Sequence, residues 1–135
     1  MSDHKNLEQT TNIQIVIVED TESIVSCLKL QLSQYFKLVI FSRAEKALMY
    51  ILDNIEHVEL VIIDHMLEGM LGMQLVSIIK KDPCLKHIQT ILQSAYDCRD
   101  LIKKYNVQPD FYLQKPYTGE QMKNAVQQML GLKAM

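Results

Sequence analysis

Residues 13–20 read Ile-Gln-Ile-Val-Ile-Val-Glu-Asp, an almost unbroken run of apolar, β-branched side chains that stops at two acids. A strand with one wet face alternates polar and apolar residues. A run this uniformly apolar suits a strand covered on both faces, as in a parallel sheet sandwiched between helices. Four further short runs follow: Lys37–Phe41, Glu59–Ile63 ending at Asp64, His87–Leu92 and Asp110–Leu113. Between them lie stretches of helical period. Glu22–Phe36 carries Ile24, Leu28 and Leu32 on one face. A capping-box pattern at Ser42 and Glu45 opens a second helix whose inward face is Ala47, Leu48, Ile51, Leu52 and Ile55. Met73–Lys81 ends at Asp82-Pro83, because proline disfavours helical geometry in the residue before it. Asp97–Tyr105 is a more polar helix. Thr118 with Gln121 caps the last one, which turns Met122, Ala125 or Val126, and Met129 or Leu130 inward. Strand and helix in strict alternation require right-handed crossovers. The fold class is therefore α/β, a doubly wound five-stranded parallel sheet in a (βα)5 three-layer sandwich.

Composition narrows the function. The chain has 135 residues, room for one domain, which we place at 13–132 behind a polar tail at 1–12. A formal net charge of −2 gives no general attraction to nucleic acid or to an anionic membrane. The first twelve residues lack the apolar core of a signal peptide, and no apolar run approaches the ~20 residues that span a bilayer. Cys27, Cys84 and Cys98 form no Cys-x-x-Cys pair, so a reducing cytoplasm is the expected home. Gly69, Gly72, Gly119 and Gly131 are the only glycines, too few and too scattered for a phosphate-cradling loop. P-loop nucleotide hydrolases and dinucleotide binders are thereby disfavoured.

Ligands of such sheets bind beyond the carboxyl ends of the strands. There the sequence places Glu19 and Asp20 after the first strand, Asp64 after the third, Gln93-Ser94 after the fourth and Gln114-Lys115 after the fifth. Taken singly, each has an ordinary explanation: acids at a helix start, a turn aspartate, a Lys-Pro turn. Together they are three carboxylates that repel one another and call for a cation. All-oxygen ligands suit Mg²⁺, which keeps several waters and leaves room for a phosphoryl oxygen. Lys115 adds a mobile positive charge and Ser94 a neutral donor. A carboxylate is also a competent nucleophile. The array suits phosphoryl transfer onto an aspartate.

These residues, in this order, resemble the receiver domain of two-component response regulators, a CheY-like, flavodoxin-like fold. The matching pieces are VIVED (16–20), VIIDHMLEGMLG (61–72), ILQSA (91–95) and DFYLQKPY (110–117). The resemblance implies that Asp64 is the phosphoacceptor and that Mg²⁺ is held by Asp20, Asp64 and the Met66 carbonyl, with Glu19 helping through a water. It implies that Ser94 and Lys115 bind phosphoryl oxygens, and that Ser94 and Tyr112 form the switch, Tyr112 swinging inward when Ser94 moves. It implies a cis peptide at Lys115-Pro116. The partners implied are a histidine kinase or histidine phosphotransfer protein as donor, and an effector on the face of the fourth helix, fifth strand and fifth helix. Phosphorylation-dependent dimerisation is left open. Such a domain acquires and loses its own phosphoryl group and is not an enzyme acting on a separate substrate.

Two positions depart from the pattern: Glu68 stands where the family usually has proline, and Leu71 where an aspartate or small residue is common. Both bear on the loop after Asp64. Tyr96, beside the site, is expected to shield an acyl phosphate from water. Alternation along the strand end turns His65 away from Asp64, as a partly exposed loop residue. Tyr96, Tyr112 and Tyr117 cluster near the fourth and fifth strands and the last helix, either as ordinary buried tyrosines or as part of a docking surface. About five residues follow the last helical pattern, so the expectation is a single-domain regulator or a receiver taken from a longer protein. Three other readings share parts of this pattern. A pseudo-receiver would dock without being phosphorylated. A haloacid-dehalogenase-type phosphatase lacks its Asp-x-Asp here, and in a flavin binder the VEDTES stretch is too acidic to cradle phosphate.

Overall fold

In the computed structural model, which describes residues 13–132, the first apolar run becomes β1 (Gln14–Val18), buried at all five positions. The tail expected at 1–12 lies outside the described residues. In chain order there follow α1 (Glu22–Leu32), β2 (Lys37–Phe41), α2 (Ala44–Asp53), β3 (Val58–Asp64) and α3 (Gly72–Lys81). Then come β4 (Gln89–Ser94), α4 (Cys98–Tyr105), β5 (Phe111–Gln114) and α5 (Gly119–Leu130). The strands are parallel in the order β2-β1-β3-β4-β5.

The burial of β1 on both faces is what the sandwich requires. Ile15 and Ile17 point into the layer closed by α1 and α5, with Leu28, Leu32, Met122 and Val126. Val16 and Val18 point into the opposite layer, with Ala47 and Ile51 of α2, Val76 and Ile79 of α3 and Leu101 of α4. The chain leaves β1 outward to β2 and then returns across it to β3. The order therefore reverses between β1 and β3, where the loops beyond the strand ends part and leave a crevice.

Several local expectations shift. Helix α1 stops at Leu32, four residues before Phe36, because Lys37 N–H must reach the Ile13 carbonyl (3.0 Å) to start β2. Strand β4 runs two residues later than expected and includes Gln93 and Ser94. The capping box at Ser42 is not formed. Arg43 takes the cap position without a side-chain bond, and Glu45 turns outward to bind Arg43 Nε and the backbone N–H of Met70. Leu52 is 49% exposed, since the inward stripe of α2 runs through Ala44, Ala47 and Ile51. The box at Thr118 and Gln121 is present in both directions, and the Lys115–Pro116 peptide is cis.

Candidate functional site

The site is built on one row of the sheet. Asp64 pairs in register with Gln93, and Val18 with Ile63, which puts Glu19, Asp64 and Gln93 at one level across the strand ends. The carboxylates of Glu19, Asp20 and Asp64 each offer an oxygen within 4.8 Å of the others. Lys115 Nζ reaches Asp64 Oδ1 at 2.9 Å and lies 3.7 Å from Glu19 Oε1. Its place is set by its own backbone, whose N–H binds the Ser94 carbonyl at 2.8 Å at the end of β5. One ammonium thus faces two buried acids, while Asp20 is exposed at the rim.

Glu19 is the most constrained of the three. Its Oε2 accepts the backbone N–H groups of Asp20 (3.1 Å) and Thr21 (3.3 Å), and its Oε1 accepts Gln93 Nε2 (3.1 Å). Burial pushes its pKa from 4.5 to about 7; the charge of Asp64 adds to the rise, and Lys115 and the Thr21 N–H pull against it. Negative charge is therefore in excess of what Lys115 can balance. An all-oxygen donor set with surplus negative charge fits a small hard cation such as Mg²⁺, and the residues that would hold it are Glu19, Asp20 and Asp64.

The remaining expected residues lie around this cluster. Ser94 is buried at the end of β4, and its Oγ accepts Tyr96 N–H at 3.0 Å, which leaves its hydroxyl proton available to donate. The Tyr112 hydroxyl sits between the carbonyls of Ser94 (3.3 Å) and Tyr96 and is shared between them. Met66 is exposed in the loop leaving β3, and Tyr96 is 51% exposed above α4. His65 does turn away from Asp64, as alternation requires, but it is buried. That side of the sheet is roofed by α3 and α4, so the ring meets Tyr96 and Tyr105 edge-on at 6.1 and 6.0 Å. Its Nδ1 accepts Met73 N–H at 3.2 Å, and burial holds its pKa below the usual imidazole value.

The sequence places Gln93 at the strand ends without a role and groups Tyr117 with tyrosines that pack or dock; neither reading anticipates the contact between them. The Tyr117 hydroxyl donates to Gln93 Oε1, while Gln93 Nε2 donates to Glu19. A glutamine directly after the apolar pair Ile91-Leu92 at the end of a strand, in line with an aspartate, is the signal that marks it.

A family model for the response regulator receiver domain matches residues 15–127. The chain belongs to that family. Among solved structures, the receiver domain of an HD-domain-containing protein from Pseudomonas fluorescens is 26% identical, with a TM-score of 0.77 over 90% of this chain and 89% of that one. The receiver domain of a signal transduction histidine kinase from Syntrophus aciditrophicus is 24% identical, with a TM-score of 0.78 over 87% and 89%. A CheY-like receiver domain protein from Methanospirillum hungatei is 22% identical, with a TM-score of 0.77 over 90% and 95%. The latter two show the shared fold. Comparison with curated proteins finds no match. Among the described residues no helix of this receiver domain is long and apolar enough to cross a membrane.

Proposed function

We propose that this receiver domain accepts a phosphoryl group on Asp64 from a histidine kinase or histidine phosphotransfer protein, in a Mg²⁺-dependent reaction, and thereby changes its affinity for an effector. The observation that carries this reading is Asp64 itself. It is buried, with two further carboxylates within 4.8 Å and the Lys115 ammonium 2.9 Å from one of its oxygens. An Asp64 oxygen attacks the phosphorus of a phosphohistidine; the O–P bond forms as the N–P bond breaks, and the imidazole leaves with the electron pair. Lys115 is placed to offset charge on the transferred group, and the Ser94 hydroxyl to donate to one of its oxygens. A bound Mg²⁺ supplies the remaining neutralisation of phosphoryl charge.

Tyr112 supports a switch, because its hydroxyl rests on the backbone of Ser94 and Tyr96. A shift of Ser94 toward a phosphoryl group would remove that rest and change the α4–β5–α5 face, the surface we assign to the effector. The domain turns over no separate substrate, and it works in the cytoplasm, without direct contact to nucleic acid.

The test is incubation of the full chain with Mg²⁺ and a small acyl-phosphate or phosphoramidate donor, read by intact mass. One added phosphoryl group is expected, lost in Asp64→Asn and in excess chelator. No uptake, or equal uptake by Asp64→Asn, refutes the reading and leaves a docking module that is not phosphorylated. Size-exclusion chromatography of the same samples reports whether phosphorylation drives dimerisation.

A further inference from the structure

We infer that Gln93 and Tyr117 are positioning residues for the cation site: the Gln93 carboxamide, itself oriented by the Tyr117 hydroxyl, holds the Glu19 carboxylate in place. The inference deepens the receiver reading and rests on it, since the acidic cluster must be a cation site for the positioning to matter.

Gln93 is completely buried, on the row that carries Glu19 and Asp64. A carboxamide taken out of water is costly unless its polar atoms are bonded. Here both ends are used, Nε2 on Glu19 Oε1 at 3.1 Å and Oε1 on the Tyr117 hydroxyl. The orientation of the amide follows from the chemistry of its neighbours. Flipped, it would set its oxygen against the ionised Glu19 carboxylate, the form that holds a cation, two acceptors with no proton between them. The tyrosine hydroxyl reinforces the unflipped form by donating to Oε1.

The consequence falls on Glu19. A glutamate has one more rotatable bond than an aspartate, and so more freedom to swing out of a site. Two backbone N–H groups hold Oε2, and Lys115, 3.7 Å from Oε1, is too distant for a hydrogen bond. Gln93 is the group that hydrogen-bonds Oε1. Partners that orient a ligand in this way are commonly worth ten- to a hundredfold in metal affinity. Tyr117 reaches the site only through the amide, so its contribution should vanish when the amide is gone.

The experiment is calorimetric titration of Mg²⁺ into the metal-free full chain, for the wild type, Gln93→Met, Gln93→Leu, Tyr117→Phe and the Gln93→Met/Tyr117→Phe double variant. Two apolar replacements of different shape guard against one that packs badly. Gln93→Met is expected to weaken Mg²⁺ binding about tenfold. Tyr117→Phe should weaken it by less, and the double variant no more than Gln93→Met alone. In the wild type the Gln93 side-chain amide resonances should shift as Mg²⁺ saturates, and Tyr117→Phe should broaden or displace them, a response that a purely space-filling glutamine would not give. A wild-type chain that takes up no Mg²⁺ overturns the cation site and this assignment with it. Wild-type binding matched by both Gln93 variants overturns the assignment alone.

Discussion

The raised pKa of Glu19 makes the metal-free domain less stable as pH rises through neutrality. Its folded-state value is about 7 against 4.5 for the free side chain, with burial as the main cause. Between those two values the folded chain holds a proton that the unfolded chain has lost. Stability therefore declines from pH 4.5 to about 7 and levels off above it. The gap between the two values corresponds to about 3 kcal/mol, a large share of the 5–15 kcal/mol typical of a domain. Part of the rise comes from the charge of Asp64, so about 3 kcal/mol is the upper bound for Glu19 alone. His65 works in the opposite direction. Its pKa is lowered by burial, so its contribution grows as pH rises and is complete above the ordinary imidazole value of 6.5. The clean measurement is a difference: urea denaturation in chelator at pH 5, 6, 7 and 8, for wild type and Glu19→Gln. The variant should gain on the wild type from pH 5 to 7, gain little further by pH 8, and be the more stable protein there. Mg²⁺ should release about half a proton per ion at pH 7 and almost none well above it, readable by calorimetry in buffers of different ionisation enthalpy. Parallel pH profiles for the two proteins would refute the reasoning.

Other outcomes follow from single contacts. A Cβ added at Gly72 would lie 2.4 Å from the Asp64 carbonyl oxygen and 2.7 Å from His65 Cα, both backbone atoms, so Gly72→Ala should cost about 3 kcal/mol in denaturation. A wild-type midpoint would show that the β3–α3 turn yields freely. Asp110 Oδ2 accepts Lys80 Nζ at 2.8 Å, Thr90 N at 2.8 Å and Thr90 Oγ1 at 3.0 Å. The ion pair is partly solvated and contributes little, but Thr90 is buried, so Asp110→Ala should lose about 2 kcal/mol, checked by the urea midpoint. On the phosphorylated chain, Tyr96→Ala should lose phosphate several-fold faster than wild type if the ring shields Asp64. An unchanged rate, followed by intact mass over time, would remove Tyr96 from that role.

The sheet was legible because its physics is local. Runs such as 13–18 and 59–63 are apolar at nearly every position, and only a strand roofed on both faces explains that. Once the strands are parallel, their carboxyl ends share one edge, and Asp20, Asp64 and Lys115 must meet there. Gln93 was harder, because its role depends on a hydroxyl 24 residues away and on the register of two strands. Alternation gave the direction of His65 correctly, but direction says nothing about exposure. Whether a side chain that leaves the sheet meets water depends on the helices above it, and here α3 and α4 close over the ring.

The turn after Asp64 shows how a departure from the family pattern can be absorbed. Leu71 occupies the cap position of α3 and has no side-chain acceptor to offer the helix. The free N–H groups of the turn are nevertheless taken by side chains: Met70 by Glu45 at 2.7 Å, Leu71 by Gln74 of the same helix at 2.7 Å and Met73 by His65 at 3.2 Å. Gly72 N–H binds the His65 carbonyl at 2.9 Å. These bonds hold a loop in which Glu68 stands exposed where a rigid proline is usual. They also explain two misread residues at once. Glu45 leaves its own helix start because the loop 25 residues on needs an acceptor, and His65 is buried because its ring does the capping that Leu71 cannot. Both bonds grip the segment that begins at Asp64 and carries Met66. The turn that follows Asp64 therefore depends on a glutamate in α2 and a histidine under α4, and a change at either is felt beside the acidic cluster.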